Sequence, residues 1–451
     1  MSNDPNESEM PYDSCEDIGT PLNVQLCAKY KRSFAYITMK DRLPIILTQV
    51  IDHMSREKEN IVNEYGKGAL EELKIAIGKI SKLKNELQTN KPLILLEGNA
   101  SDVTIWNAFL KQLKDEEGND PRWFHSAWLA TECYMYRRLR EAFELTDTLT
   151  SFDPFRSKKQ AALLDSLGTI NVLCTYVKRL VEQQNCHCST DIKNEFMKLL
   201  YVDLWGNRCD LSLSGGEKVL MEEDPLQKIG QLTEYILIDE AEKVWNTLAV
   251  NREKSDVIVD MVLDNAGYEL YTDLCLADLL VTFSLASQVR FRAKVLPWYV
   301  SDVCIPDFQW TLQILSNSEN SEVSALANRW LGHMKSGKWV LCADEFWTLP
   351  HVFNQMQNVD PTLYQELSNA VLMIIKGDLN YRKLTGDINW EPTKPFSEAL
   401  SGFRPTNIAA LRTLKADTIC GLLAGQAEDT AAKSSEWLIS GQYAVVQYSS
   451  L

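Results

Sequence analysis

The sequence predicts an α/β protein, in which an N-terminal all-helical domain precedes a C-terminal three-layer αβα, Rossmann-like domain with a mostly parallel sheet. Three observations carry this reading. Strand signals are few before residue 230, where apolar residues instead recur at three-and-four spacing. From Tyr235 onward, short β-branched runs alternate with helical stretches, the pattern of parallel strands joined by crossover helices. Several of those runs also stop abruptly at an aspartate.

Taken in order, residues 1–20 carry Asp4, Glu7, Glu9, Asp13, Glu16 and Asp17 and no basic residue, which predicts a mobile acidic tail. Residues 21–230 form the expected helical domain. Leu43, Ile46, Leu47, Val50 and Ile51 mark one helix face, and Leu70, Leu73, Ile77 and Ile80 mark a second before Asn90-Lys91-Pro92 stops it. Trp123 to Leu145 and Leu163 to Val181 are further helices, their aromatic residues expected in the core. Residues 231–451 form the expected α/β domain. Strands are predicted at 236–238, 257–263, 294–300, 339–342, 371–375 and 443–446, and helices at 268–284, 308–315, 321–334, 361–369 and 416–424.

The formal net charge is -16, from 46 Lys and Arg against 62 Asp and Glu, which argues against nucleic acid or an anionic membrane as the main partner. No stretch approaches the roughly 18 uninterrupted apolar residues of a membrane span. The first residues also lack the basic and apolar regions of a signal peptide. Eleven scattered cysteines suit a reducing compartment, and the expectation is a soluble protein of the cytoplasm or nucleus.

The chemistry is concentrated where the strands end. The 257–263 run ends in Asp264-Asn265, the next in Ser301-Asp302, another in Asp344, and another in Lys376-Gly377-Asp378. Turn propensity explains any one aspartate, and for Asp344 that reading is preferred. In a parallel sheet, however, these termini share one edge, where α/β proteins bind ligands. Converging carboxylates repel one another unless a proton, a basic side chain or a metal lies among them. Two aspartates and an asparagine carbonyl suit a hard divalent ion such as Mg²⁺ or Mn²⁺. Lys376, Arg382, Arg412 and Lys415 lie nearby in sequence, and a metal beside such cations is a means of holding a phosphoryl group.

Asp264-Asn265-Ala266-Gly267-Tyr268-Glu269, Ser301-Asp302, Gly377-Asp378-Leu379-Asn380-Tyr381-Arg382 and Arg412-Thr413-Leu414-Lys415 together resemble the damage-control phosphatase family. The Arg-Thr-x-Lys element resembles its subfamily III, whose eukaryotic members are also described as acidic-residue carboxyl methyltransferases. The resemblance implies a divalent metal (Mn, Mg, Co or Ni) held by Asp264, Asn265 and Asp302, with Asp264 and Asn265 as catalytic residues. It implies a small phosphorylated metabolite, such as fructose 1-phosphate, bound by Asp264, Asn265, Asp378, Leu379, Asn380, Tyr381, Arg382 and Lys415. Glu269, Asp387 and Arg412 are further pocket candidates. The attacking group is a water or Asp264 itself.

The sequence admits two other readings. An S-adenosylmethionine-dependent methyltransferase acting on a partner protein's carboxylates fits the domain type, but the 264–267 turn offers one glycine rather than a glycine-rich cradle. A non-catalytic scaffold would use the helical half to bind a protein partner. Leu213-Ser214-Gly215-Gly216-Glu217 resembles an ATPase signature, yet no phosphate loop accompanies it. Cys186-His187-Cys188 lacks a second ligand pair for zinc, and His53, His125, His333 and His351 are isolated.

Overall fold

The computed structural model describes residues 15–183, 188–206, 230–252 and 254–451. They divide into two compact units, one reaching to Pro154 and including Asp387–Trp390, the other spanning Phe155–Gly386 and Glu391–Leu451. The division falls well before the expected boundary at residue 230. The reason is that helices Arg156–Asp165, Leu167–Glu182 and Ser189–Leu204 pack with the α/β unit, where they join the core that covers the sheet. Residues 1–14, the Leu213–Glu217 segment and Cys186-His187 lie outside the described residues. The expected tail ends sooner than residue 20, because Cys15 is buried and the Glu16 N–H donates to the Lys29 carbonyl at 2.8 Å.

In the first unit the apolar spacing marks the buried faces in large part, with Leu70 exposed and Ile46, Ile51 and Ile77 half-buried at their margins. Leu43–Arg56 buries Leu43, Leu47, Val50 and Met54, and Ala69–Gln88 buries Leu73, Ala76, Ile80, Leu83 and Leu87. The Trp128–Glu144 helix is buried on nearly every side, and its Arg137 pairs with Asp102 at 2.6 Å. Trp106 and Trp123 both pack against Tyr134 in the core. No described helix is long and apolar enough to cross a membrane.

The second unit is built on seven strands: β1 Ile236–Asp239, β2 Ile258–Val262, β3 Gln288–Ala293, β4 Trp339–Ala343, β5 Leu372–Lys376, β6 Ile408–Thr413 and β7 Ala444–Ser449. Their order is β1-β7-β6-β5-β2-β3-β4. The five strands from β6 to β4 run parallel, while β7 is antiparallel to β6 and carries β1 with it. Val259, Met261, Val289, Phe291, Leu372, Ile374, Ala409, Leu411, Ala444 and Val446 join one apolar core with the longer helices. The central Tyr268–Thr282 helix is buried along almost its whole length, so its apolar residues encircle it.

Alternating strand positions point to the opposite face, which buries charge. There Arg290 and Arg292 both bond Asp260, at 2.5–3.0 Å, and reach Glu366 in the short Pro361–Leu367 helix. This explains why β3 is not where the sequence places it. Gln-Val-Arg-Phe-Arg-Ala looks half-solvated because of its arginines, although both are buried in ion pairs. The expected strand at 294–300 is instead a loop containing Pro297, with Tyr299 and Val300 at φ 42° and 71°. The expected helix at 416–424 is irregular. It lies between β6, whose alanines conceal a strand, and the Gln426–Lys433 helix that begins after Gly425.

Candidate active site

β2, β3 and β5 run in register, Val262 standing opposite Arg292 on one side and Ile375 on the other. The residues leaving their carboxyl ends therefore meet. Asp264 and Asn265 follow β2, Lys294 follows β3, and Gly377 follows β5. The loop after β3 returns to β2 through an antiparallel bridge between Asn265 and Asp302. The Ala266 N–H donates to the Ser301 carbonyl at 2.7 Å, and the Val303 N–H donates to the Asp264 carbonyl at 2.9 Å. Asp302 thus comes beside the β2 turn from a loop, not from the end of the expected strand.

Asp264 is 8 % exposed and Asp302 2 %. Burial, with Glu269 and Asp302 as like-charged neighbours, pushes the Asp264 carboxyl well above the usual carboxylate range, against the pull of Lys415 and Lys294. Burial likewise pushes Asp302 up to about 7, opposed by Lys294 and Lys159 and reinforced by Glu269. Oδ2 of Asp302 is buried with no hydrogen-bond partner, its nearest cation being the Lys294 ammonium at 3.6 Å. The Asn265 Nδ2 donates to Asp264 Oδ2 at 2.6 Å and Glu269 Oε2 at 2.8 Å, while its Oδ1 accepts from the Ser301 hydroxyl at 2.5 Å.

These residues fit a divalent cation. Two buried carboxylates disfavour their own charge, one oxygen has no donor, and a carboxamide adjoins them, all oxygen donors that suit a hard ion. Among the described residues no group of three or more His, Cys, Asp and Glu side chains could hold a metal.

The remaining predicted residues fall into three groups. The Lys415 ammonium acts on Asp264, and its loop is held in place by Asp378, whose Oδ1 accepts from the Lys415 N–H at 3.1 Å and from Arg412 Nε at 2.7 Å. Arg412 uses its other nitrogens on the carbonyls of Thr418 and Ala416 and lies over the Tyr381 ring at 4.2 Å. Its contacts thus organise the segment that carries Lys415.

On the Asp378–Leu384 helix, Leu379, Asn380, Tyr381 and Arg382 are all buried. Asn380 Oδ1 accepts from Lys294 at 3.0 Å and its Nδ2 donates to the Leu263 and Lys376 carbonyls. The Tyr381 hydroxyl donates to Gln447 Oε1 at 2.7 Å. Both side chains therefore brace the site from within.

Asp387 belongs to the other compact unit, where Oδ2 accepts from the Leu129 N–H at 3.0 Å. Asp344 accepts from Trp347 and Arg292, joining the charged face below the sheet.

Two cations here were not anticipated. Lys294 opens the segment that the sequence pattern predicts as a strand. Lys159 comes from a distant helix, where it pairs with Asp307 at 2.5 Å, and nothing in the local sequence marks either residue. Conversely, Lys376 does not gather around Asp378. It turns to Asp203 Oδ1 at 2.6 Å and Asp273 Oδ1 at 2.8 Å, and although burial opposes its charge, these carboxylates hold its ammonium more firmly protonated than usual.

Residues 38–430 match the family model described as "Damage-control phosphatase ARMT1-like domain". The chain is 44% identical to the damage-control phosphatase ARMT1 of Danio rerio over 432 residues, covering 94% of this chain and 96% of that protein. It is also 44% identical to that of Homo sapiens over 423 residues, covering 92% and 96%. A crystal structure of a DUF89 family protein from Pyrococcus horikoshii is similar at 15% identity and a TM-score of 0.37, covering 78% of this chain and 91% of that one.

Proposed function

The chain belongs to the damage-control phosphatase ARMT1-like family, and from that premise we propose that it is a metal-dependent phosphatase of small phosphomonoesters, with sugar phosphates such as fructose 1-phosphate as substrates. The observation that supports this most directly is the buried pair Asp264 and Asp302, flanked by Lys294 and Lys415, with one Asp302 oxygen lacking a donor. Such a pair is stable only with a proton or a cation among its oxygens.

Asp264, Asn265 and Asp302 would hold the ion, which when bound polarises a phosphoryl oxygen and acidifies a water. The chain's own groups do the rest. The Lys415 ammonium acts on Asp264 and the Lys294 ammonium on both carboxylates, and together they would draw the anionic phosphoryl group towards them. Asn380 fixes Lys294 through a 3.0 Å hydrogen bond, so that charge is preorganised rather than mobile. Arg412 and Asp378 do the same for the Lys415 segment. Arg382 would add charge to the equatorial oxygens.

Purified protein given fructose 1-phosphate with Mn²⁺, Co²⁺, Ni²⁺ or Mg²⁺ is expected to release inorganic phosphate, and chelation is expected to stop it. The Asp264→Ala variant should be inactive. Absence of turnover with every ion across a panel of phosphate esters would overturn the proposal. Transfer of a labelled methyl group to a protein, undiminished by chelator, would favour the methyltransferase reading instead.

A further inference from the structure

We propose that Lys376, acting through Glu269, is a positioning residue that sets which end of the Asn265 carboxamide faces the candidate metal site. The inference rests on the reading of Asn265 as a metal ligand.

The two ends of a carboxamide are distinguished by their partners. Asn265 Nδ2 donates to two carboxyl oxygens, Oδ2 of Asp264 and Oε2 of Glu269. The carbonyl oxygen, the atom through which an asparagine binds a cation, is thereby turned away from Glu269 and accepts from the hydroxyl of Ser301, the residue before Asp302. Glu269 is thus the group that determines the orientation from outside the ligand set. Its own placement is not left to solvent, since it is 5 % exposed and its second oxygen lies 3.6 Å from the Lys376 ammonium.

Lys376 in turn is held in place. Its ammonium donates to Asp203 Oδ1 at 2.6 Å, to the Asp203 carbonyl at 3.2 Å and to Asp273 Oδ1 at 2.8 Å. The chain of contacts runs from the Ser189–Leu204 helix through the end of β5 to the first turn of the Tyr268–Thr282 helix. It ends on the amide. Outer partners of metal ligands generally act in this manner, fixing the orientation of the inner ones.

Replacing Glu269 by glutamine keeps the shape but offers Asn265 a donor as well as an acceptor, so either amide orientation becomes satisfied. Replacing Lys376 by methionine removes the ammonium against which Glu269 rests and lets its carboxylate turn. Binding of Mn²⁺ alone, followed by electron paramagnetic resonance, reads the consequence without depending on turnover. Glu269→Gln and Lys376→Met are each expected to raise the Mn²⁺ Kd by about tenfold or more. Because they act on one path, the double variant should be no weaker than the weaker single. A purely structural role would lower thermal stability without moving the Kd.

Should Lys376→Met fail to fold, Lys376→Met/Asp273→Asn, which removes one buried negative charge together with the cation, takes its place. A Glu269→Gln protein that binds Mn²⁺ as tightly as wild type overturns the inference and leaves the metal reading intact. A wild-type protein that binds no Mn²⁺ overturns the metal reading itself, and this inference with it.

Discussion

Gly377 and Asp264 lie so close that a Cβ atom at position 377 would fall 2.0 Å from Oδ2 of Asp264. Gly377 also has φ 85°, where an L side chain is strained whatever the space around it. The β5-to-helix turn is therefore shaped around the carboxylate. Gly377→Ala is expected to cost more than about 1 kcal/mol from the backbone alone and to displace Asp264. Thermal unfolding should show a lower Tm, and phosphate release should fall to background even at saturating metal. A variant with normal turnover would mean that Asp264 need not occupy this position.

Asp302 tests whether the carboxylates are kept together for an ion. In metal-free protein near pH 8, Asp264, Glu269 and Asp302 crowd one another out of water, an arrangement unfavourable to folding. Asp302→Asn relieves part of that repulsion while removing a ligand charge. The expected outcome is a metal-free Tm at least equal to wild type, together with loss of the Tm increase that Mn²⁺ gives the wild-type protein. A variant that Mn²⁺ still stabilises fully would remove Asp302 from the ligand set.

The loop that delivers Asp302 is strained just before it. Val300 has φ 71°, and the Ser301 N–H donates to the Tyr299 carbonyl at 2.9 Å across it, the hydrogen bond of a tight γ-turn. A β-branched residue in this conformation carries on the order of 1–3 kcal/mol of strain. Val300 is only partly buried, so little packing is lost on truncation. Val300→Gly is expected to raise the metal-free Tm slightly and to weaken Mn²⁺ binding, because the freed loop holds Asp302 less rigidly. An unchanged Tm and Kd would show that the turn stores nothing the site uses.

The parts that could be read from the sequence were those where local pattern and tertiary role agree. β2 is apolar but for Asp260 and β5 is apolar up to Lys376, both with nearly all their residues buried, and Asp264 and Asp378 each lie two positions beyond the strand end. The strand expected to lead to Asp302 is absent, since Pro297 and the turn at Val300 make the segment a loop. β3 was hidden because Arg290 and Arg292 are paired with Asp260 inside the protein, a partnership of distant residues that no local pattern carries. The same holds for Lys159 and Lys294, whose importance comes from where folding places them. Lys376 shows the converse. Its nearness to Asp378 in sequence suggested a shared site, yet its side chain points to the Asp203 and Asp273 carboxylates instead.

Acid stability offers a test away from the candidate site. Burial, assisted by the Lys383 ammonium, pushes His351 down to about 4 from its ordinary 6.5. Between these values the unfolded chain binds a proton at this residue and the native protein does not, so stability rises with pH across the window. The contribution is fully present above about pH 6.5 and is lost as the pH falls towards 4. Wild-type Tm should therefore decline over that interval, and His351→Gln, which cannot take up the proton, should show a shallower decline. The measurement is a set of thermal melts of the two proteins in matched buffers from pH 7 to 4.5. Parallel profiles would show that another group governs the acid limb and that His351 is charged, or relaxed to solvent, in the native state.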